Sequence, residues 1–253
     1  HVDMYDDALV PQLLAELDAH RVLTIGVTID PAAYDRACAL AGQSSWIVPT
    51  FGIHPWNAAE NVDQLESVGE LIARSPMLGE IGLDFLWVED RAKDAAQRRV
   101  FTHFLQAAHD QHKIVNLHTK AAEAEILESL DRYRVERAIV HWYSGPLDIA
   151  NALAARGAMF SIGVELHSSA LIQELARRLP LQLLLTETDN PGALRWLTGE
   201  LGLPSHLPGV LAELARLRGM DEAELRDTIL ANFTRLIDGD PHMADVRARL
   251  RDA

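Results

Sequence analysis

Four side chains of metal-ligand type stand where a βα protein places its chemistry. Glu80 lies in Gly79-Glu80-Ile81-Gly82, His118 closes Val115-Asn116-Leu117-His118, His141 closes Ala138-Ile139-Val140-His141, and Asp189 follows Leu185-Thr186-Glu187-Thr188. Each ends or directly follows a short apolar run of strand character. Imidazole and carboxylate together are the donors of catalytic zinc or manganese, and a bridging carboxylate suits a pair of cations. A lone polar residue at a strand end is more simply a cap or a satisfied core group. Four at regular spacing favour a metal centre, with His1 as a fifth donor.

The spacing fits whole βα units. His118 and His141 are 23 residues apart, His141 and Asp189 48, and His1 and Glu80 79, or one, two and about three units. Apolar runs near 22–27, 46–51, 77–81, 113–117, 138–141, 158–164 and 181–186 read as buried strands, with Pro49 weakening the second. Amphipathic segments separate them; in the one from about 94 to 111, Val100, Phe101, Phe104, Leu105 and Ala108 recur at helical steps. Near-continuous apolar strands between helices indicate a parallel sheet covered on both faces. The expected fold is α/β, a TIM-type (β/α)8 barrel over residues 1–253 as one hydrolase domain, with the metal site at the C-terminal strand ends. Only seven strands are visible, so the first strand is expected to be truncated at the N-terminus, its body lying ahead of His1. Gly239-Asp240-Pro241 is expected to introduce a short charged tail from about 239.

Bulk properties narrow the function classes. A net charge of −14 argues against a broad basic surface for gripping nucleic acid, although bound cations can reverse the sign locally. The single cysteine, Cys38, excludes an intrachain disulfide and a Cys-based zinc cluster. No apolar run approaches the roughly 18 residues of a membrane span, so no membrane partner and a cytoplasmic location are expected.

The motifs in order are Phe51-Gly52-Ile53-His54-Pro55, Gly79-Glu80-Ile81-Gly82-Leu83-Asp84, His118-Thr119-Lys120-Ala121, His141-Trp142-Tyr143-Ser144-Gly145 and Glu187-Thr188-Asp189-Asn190-Pro191. This series resembles the TatD-family metal-dependent deoxyribonucleases over nearly the whole chain. The family opens on His-x-His-x-Asp, and His1-Val2-Asp3 matches its second half. The resemblance implies two divalent metal ions (Zn, Mg or Mn) bridged by Glu80. His1 and Asp189 would serve one metal, and His118 and His141 the other. Two positions depart from the pattern: Trp56 replaces the last His of Gly-x-His-Pro-His, and Lys120 replaces an Arg, which loses the bidentate fork.

The proposed chemistry is phosphodiester hydrolysis by a metal-bridging hydroxide, with Asp189 orienting the water and taking its proton and Glu80 as the second catalytic group. The resemblance implies DNA, cut as an exonuclease, as the partner. Lys120 and His54 are expected on the phosphate, His54 equally as a loop-stabilising hydrogen bond. Ser144, with Gly145, offers N–H groups to an anion or simply forms a turn. Trp56, Trp87 and Tyr143 are expected on the open face, stacking on bases or covering the mouth. Glu165 and His167 are candidates for the rim. Two other readings stay open: a small-molecule amidohydrolase or esterase using the same metals, and a degenerate barrel acting as a binding subunit.

Overall fold

The computed structural model describes residues 1–252. Seven strands alternate with helices: β1 (Thr24–Val27), β2 (Ile47–Thr50), β3 (Leu78–Asp84), β4 (Val115–Lys120), β5 (Ala138–Val140), β6 (Met159–Ile162) and β7 (Leu184–Thr186). β1 pairs with β2, and β3 to β7 pair in chain order, every pair parallel. A bridge from Phe51 to Leu78 joins the two groups, helped by the Glu80 N–H donating to the Thr28 carbonyl. This sequential parallel order with helices outside is a TIM-type barrel. Among the described residues no strand pairs β7 with β1; the strand expected ahead of His1 lies outside them. At that seam stands the 3-10 turn Val2–Met4, with Val2 against Gly26 of β1 and His1 reaching Asp189 beyond β7.

β3 is buried along all seven residues, which is why it reads as an almost unbroken apolar run. It runs on to Asp84, past the expected end at 81, because Gly82, Leu83 and Asp84 register with His118, Thr119 and Lys120 of β4. Gly82 makes this approach possible. Its φ is +154°, and a Cβ there would fall on the His118 carbonyl, so only glycine fits. Glu80 and Asp84 flank it at period-2 spacing and share one face of the strand.

The helix Asp94–Gln111 buries Val100, Phe101, Phe104, Leu105 and Ala108 against the barrel, as its periodicity predicts. Its one buried polar residue, Gln97, clamps the Asp84 backbone: Gln97 Oε1 accepts the Asp84 N–H at 2.8 Å and Nε2 donates to the Asp84 carbonyl at 3.0 Å.

The strand N-termini close over Val48, Met77, Ile114, Ile139, Met159 and Leu185, packed against Leu236, Ile237, Met243 and Val246. Each such side chain contributes about 1.5–3 kcal/mol on burial. The charged stretch expected from about 239 packs back onto the barrel. Asp240 is buried, its carboxylate 2.9 Å from the Arg137 guanidinium, and the helix Ala244–Asp252 covers the barrel floor. Charge in the sequence masked two apolar anchors, Met243 and Val246.

Candidate metal centre

The strand ends bring their polar side chains to one point. Glu80 from β3, His118 from β4, His141 directly after β5 and His54 after β2 are all buried. Glu80 Oε1 lies 2.7 Å from His141 Nε2, 2.8 Å from His118 Nδ1 and 3.3 Å from His54 Nε2. Its other oxygen, Oε2, lies 3.0 Å from His1 Nε2, which in turn is 3.4 Å from Asp189 Oδ1. One carboxylate thus has a group of donors on each oxygen, and all five expected ligands converge.

His54, expected on the phosphate or in a loop-stabilising hydrogen bond, makes that hydrogen bond and also stands within the donor cluster; its Nε2, a Glu80 oxygen and a His118 nitrogen all lie within 4.8 Å of one another. The Trp56 N–H donates to His54 Nδ1 at 3.2 Å, which turns Nε2 towards Glu80.

The electrostatics follow from burying one carboxylate among imidazoles. Burial alone would raise the Glu80 pKa, but His141, His54, His1 and His118 together hold it well below the usual carboxylate range. Burial alone would lower His1, yet Glu80, Asp189 and Asp3 overcome this and push it up to about 9. His141 likewise ends well above its ordinary value, its burial outweighed by Glu80 and Glu187. At His54 burial wins, pushing it down to about 4 and so leaving it neutral at physiological pH.

These residues fit divalent cations. The donors are the imidazole and carboxylate types that such ions take. Glu80 Oε2, His1 Nδ1 and Asp3 Oδ1 are buried without an aligned hydrogen bond, an unusual cost in a folded interior. Protons on His1 and His141 supply positive charge around Glu80 that a cation would replace.

An outer ring of side chains holds the cluster in place. Asp84 accepts the N–H groups of Trp87 at 2.8 Å and Leu86 at 3.0 Å and the Trp56 indole N–H at 2.7 Å, and lies 3.0 Å from His118 Nε2. Those contacts outweigh its burial and lower its pKa strongly. Glu187 accepts the Trp142 N–H at 2.8 Å and the Ser161 hydroxyl at 2.5 Å, and faces His141 Nδ1 at 3.6 Å. Carboxylates behind imidazoles fix ring orientation and raise ligand basicity. Neither Asp84 nor Glu187 was singled out from the sequence, although both sit in the ordered motifs and Asp84 shares the Glu80 face.

Of the residues expected on the substrate, Lys120 and Ser144 meet: Lys120 Nζ donates to Ser144 Oγ at 2.9 Å and to the Trp142 carbonyl at 2.6 Å. Trp56 is half exposed beside His54, their ring centroids 4.9 Å apart. Tyr143 is a correction. Its ring is buried against Phe160, its hydroxyl donates to the Pro146 carbonyl at 2.7 Å, and it presents no face to a ligand. Alternation explains the difference, since its neighbour Trp142 takes the outward position. Glu165 accepts the Trp142 indole N–H, while His167 is exposed beside Gly209.

Residues 1–238 match the family described as TatD related DNase. The chain belongs to the TatD-related DNase family. The 3'-5' ssDNA/RNA exonuclease TatD of Escherichia coli is 31% identical over 218 residues, covering 79% of this chain and 82% of the relative. The metal-dependent hydrolase YcfH of Escherichia coli is 28% identical over 247 residues, covering 93% and 89%. The crystal structure of the TatD homolog YJJV from Escherichia coli aligns with a TM-score of 0.81 at 25% identity, over 89% of this chain and 90% of that one. Membership of this TatD family makes the chain a metal-dependent hydrolase. Among the described residues no helix is long and apolar enough to cross a membrane.

Proposed function

We propose that this TatD-family chain is a two-metal phosphodiesterase that trims the ends of single-stranded nucleic acid, DNA in the first instance. The observation that carries this reading is the division of donors about one carboxylate, with His54, His118 and His141 on Glu80 Oε1 and His1 with Asp189 on the Oε2 side. The kinship with a named single-strand exonuclease supports the substrate class.

Divalent cations held there would neutralise phosphate charge and make water acidic enough to attack at neutral pH. Glu80 holds the two donor groups in register, and Asp84 and Glu187 keep His118 and His141 turned towards it. Asp189, less buried than Glu80, would accept the proton of the attacking water. Lys120 uses two of its three N–H donors on neutral oxygens and keeps one for a phosphate oxygen.

The test is cleavage of 5′-labelled single-stranded DNA by purified protein with Mg²⁺ or Mn²⁺. A ladder of products shortened from the 3′ end is expected, abolished by EDTA. Full cleavage in excess EDTA, or none with any divalent metal, would sink the proposal. The net charge of −14 favours a second reading, a small-molecule ester or amide hydrolase. Turnover of glycerophosphodiesters or lactones by a protein inert towards DNA would select it.

A further inference from the structure

Large exposed apolar side chains are few on this surface, and four of the seven among the described residues, Trp56, Leu86, Trp87 and Trp196, lie in the segments that follow β2, β3 and β7. Trp196, on the helix Gly192–Thr198 after β7, is 65% exposed, Trp56 51% and Trp87 36%. With Trp142 they form a continuous aromatic wall. Ring centroids are 5.3 Å apart for Trp87 and Trp196, 5.8 Å for Trp142 and Trp196, 6.4 Å for Trp87 and Trp142, and 6.0 Å for Trp56 and Trp87. Interplanar angles of 69–72° leave no parallel slot between these rings, so a ligand meets only their outer faces.

Two further facts distinguish this wall from ordinary packing. Its rings are held by polar groups, the Trp56 N–H by Asp84 and the Trp142 N–H by Glu165. A cation lies beneath it: Lys120 Nζ sits 5.2 Å from the Trp87 ring centre and 5.3 Å from that of Trp142. None of the ion pairs among the described residues includes Lys120; its hydrogen bonds go to a carbonyl and a hydroxyl. Trp87 also approaches His118, centroid to centroid 5.9 Å, so the wall begins where the donor cluster ends.

We propose that Trp87, Trp142 and Trp196 over Lys120 form a nucleobase subsite, in which an unpaired terminal base stacks on the outer face of Trp196, with Trp87 against its edge, and its phosphate is drawn towards the Lys120 charge. An aromatic face beside a cation that makes no direct ion pair, with Glu165, Glu187, Glu123 and Asp189 acting on it only through space, matches a flat ring joined to an anion, the chemistry of a nucleotide. A base inside a duplex has both faces covered and cannot lie on the wall, whereas an unpaired terminal base is free to turn onto it. The assignment rests on the phosphodiesterase reading for the phosphate, but not for the base.

The experiment compares two single-stranded oligothymidylates, one ending in thymidine and one in an abasic residue. Wild-type protein is expected to favour the base-bearing end in KM by about 5- to 150-fold, the range of one stacked base. Trp196→Ala should bring that ratio towards one, and Trp196→Phe should restore most of it, whereas a purely structural role would shift both substrates alike. Indole fluorescence in EDTA provides a readout independent of cleavage, with quenching expected for the thymidine-ended strand only. Trp46, facing Asp18, serves as the internal reference. Base-dependent quenching without cleavage would remove the phosphodiesterase reading and leave the subsite standing. Cleavage with no base-dependent preference or quenching would overturn the subsite alone.

Discussion

Both ends of this barrel bury charge, and they treat it in opposite ways. At the floor, Lys113 is fully buried and its ammonium donates to three carbonyls at the end of the helix Gly69–Arg74, those of Ile72, Ala73 and Ser75, the last two at 2.8 and 2.6 Å. Burial pushes its pKa down to about 8, with Asp240 opposing. The backbone of the fold itself satisfies that charge. At the mouth, Glu80 is equally buried, yet one of its oxygens lacks an aligned hydrogen bond and its neighbours are titratable side chains. The floor is a finished structural joint, and the mouth is a set of donors arranged for something else to bind.

Backbone conformation shows the same division. Left-handed residues near the floor, Arg21 and His112, are helix C-caps, a common and inexpensive use of that region. At the mouth, Ala121, Trp142 and Asp189 take positive φ just after β4, β5 and β7. Such conformations concentrate at functional sites, where the surrounding structure holds them in place.

The sharpest way to break the comparison is at Glu80. Glu80→Gln should lose metal content, read by mass spectrometry, and turnover by about 10³-fold or more, since several kcal/mol of charge stabilisation disappear together. Retention of both metals and activity would show that Glu80 bridges nothing. Asp189→Asn should keep at least one metal while turnover falls about 10²–10⁴-fold, because the amide retains an oxygen ligand but not the base. Normal single-turnover cleavage by this variant would strip Asp189 of its chemical role.

At the floor the expectation reverses. Lys113→Met leaves three carbonyls without their donor and should cost about 2–4 kcal/mol, seen as a lower denaturation midpoint, with metal content unchanged. Loss of metal without loss of stability would mean that the two ends are not separate. The smallest effect concerns pH. His1 is raised from 6.5 to about 9, so in EDTA its contribution to stability should be complete below pH 6.5 and lost as pH rises through about 9. With metal the trend inverts, because a cation must displace that proton and its affinity should weaken as pH falls below about 9. Melting curves with and without EDTA across that interval should slope in opposite directions; parallel curves would refute the competition.

Much of this was legible in the residues themselves. A parallel strand buried on both faces needs an almost unbroken apolar run, so seven strands could be located from composition, and a polar residue at the end of such a run stands out. That is how Glu80, His118, His141 and Asp189 were recognisable. Spacing by whole βα units then placed them on one rim, because strand C-termini of a parallel barrel share a face.

Tertiary structure decided what depends on approach between distant segments. His54 joined the donor cluster rather than the substrate side because the Trp56 N–H orients its ring across 64 residues of chain towards His118. Which of two adjacent aromatics faces outward, Trp142 or Tyr143, depended on how the turn after β5 packs on Phe160. Trp196 gave no signal, since an aromatic on a short helix is most simply core, and only the fold of the chain after β7 lays it beside Trp87. Residue type is local and written in the chain. The direction in which a side chain points at the end of a strand is set by neighbours far away in sequence, and at this barrel mouth that direction separates a ligand from a packing residue.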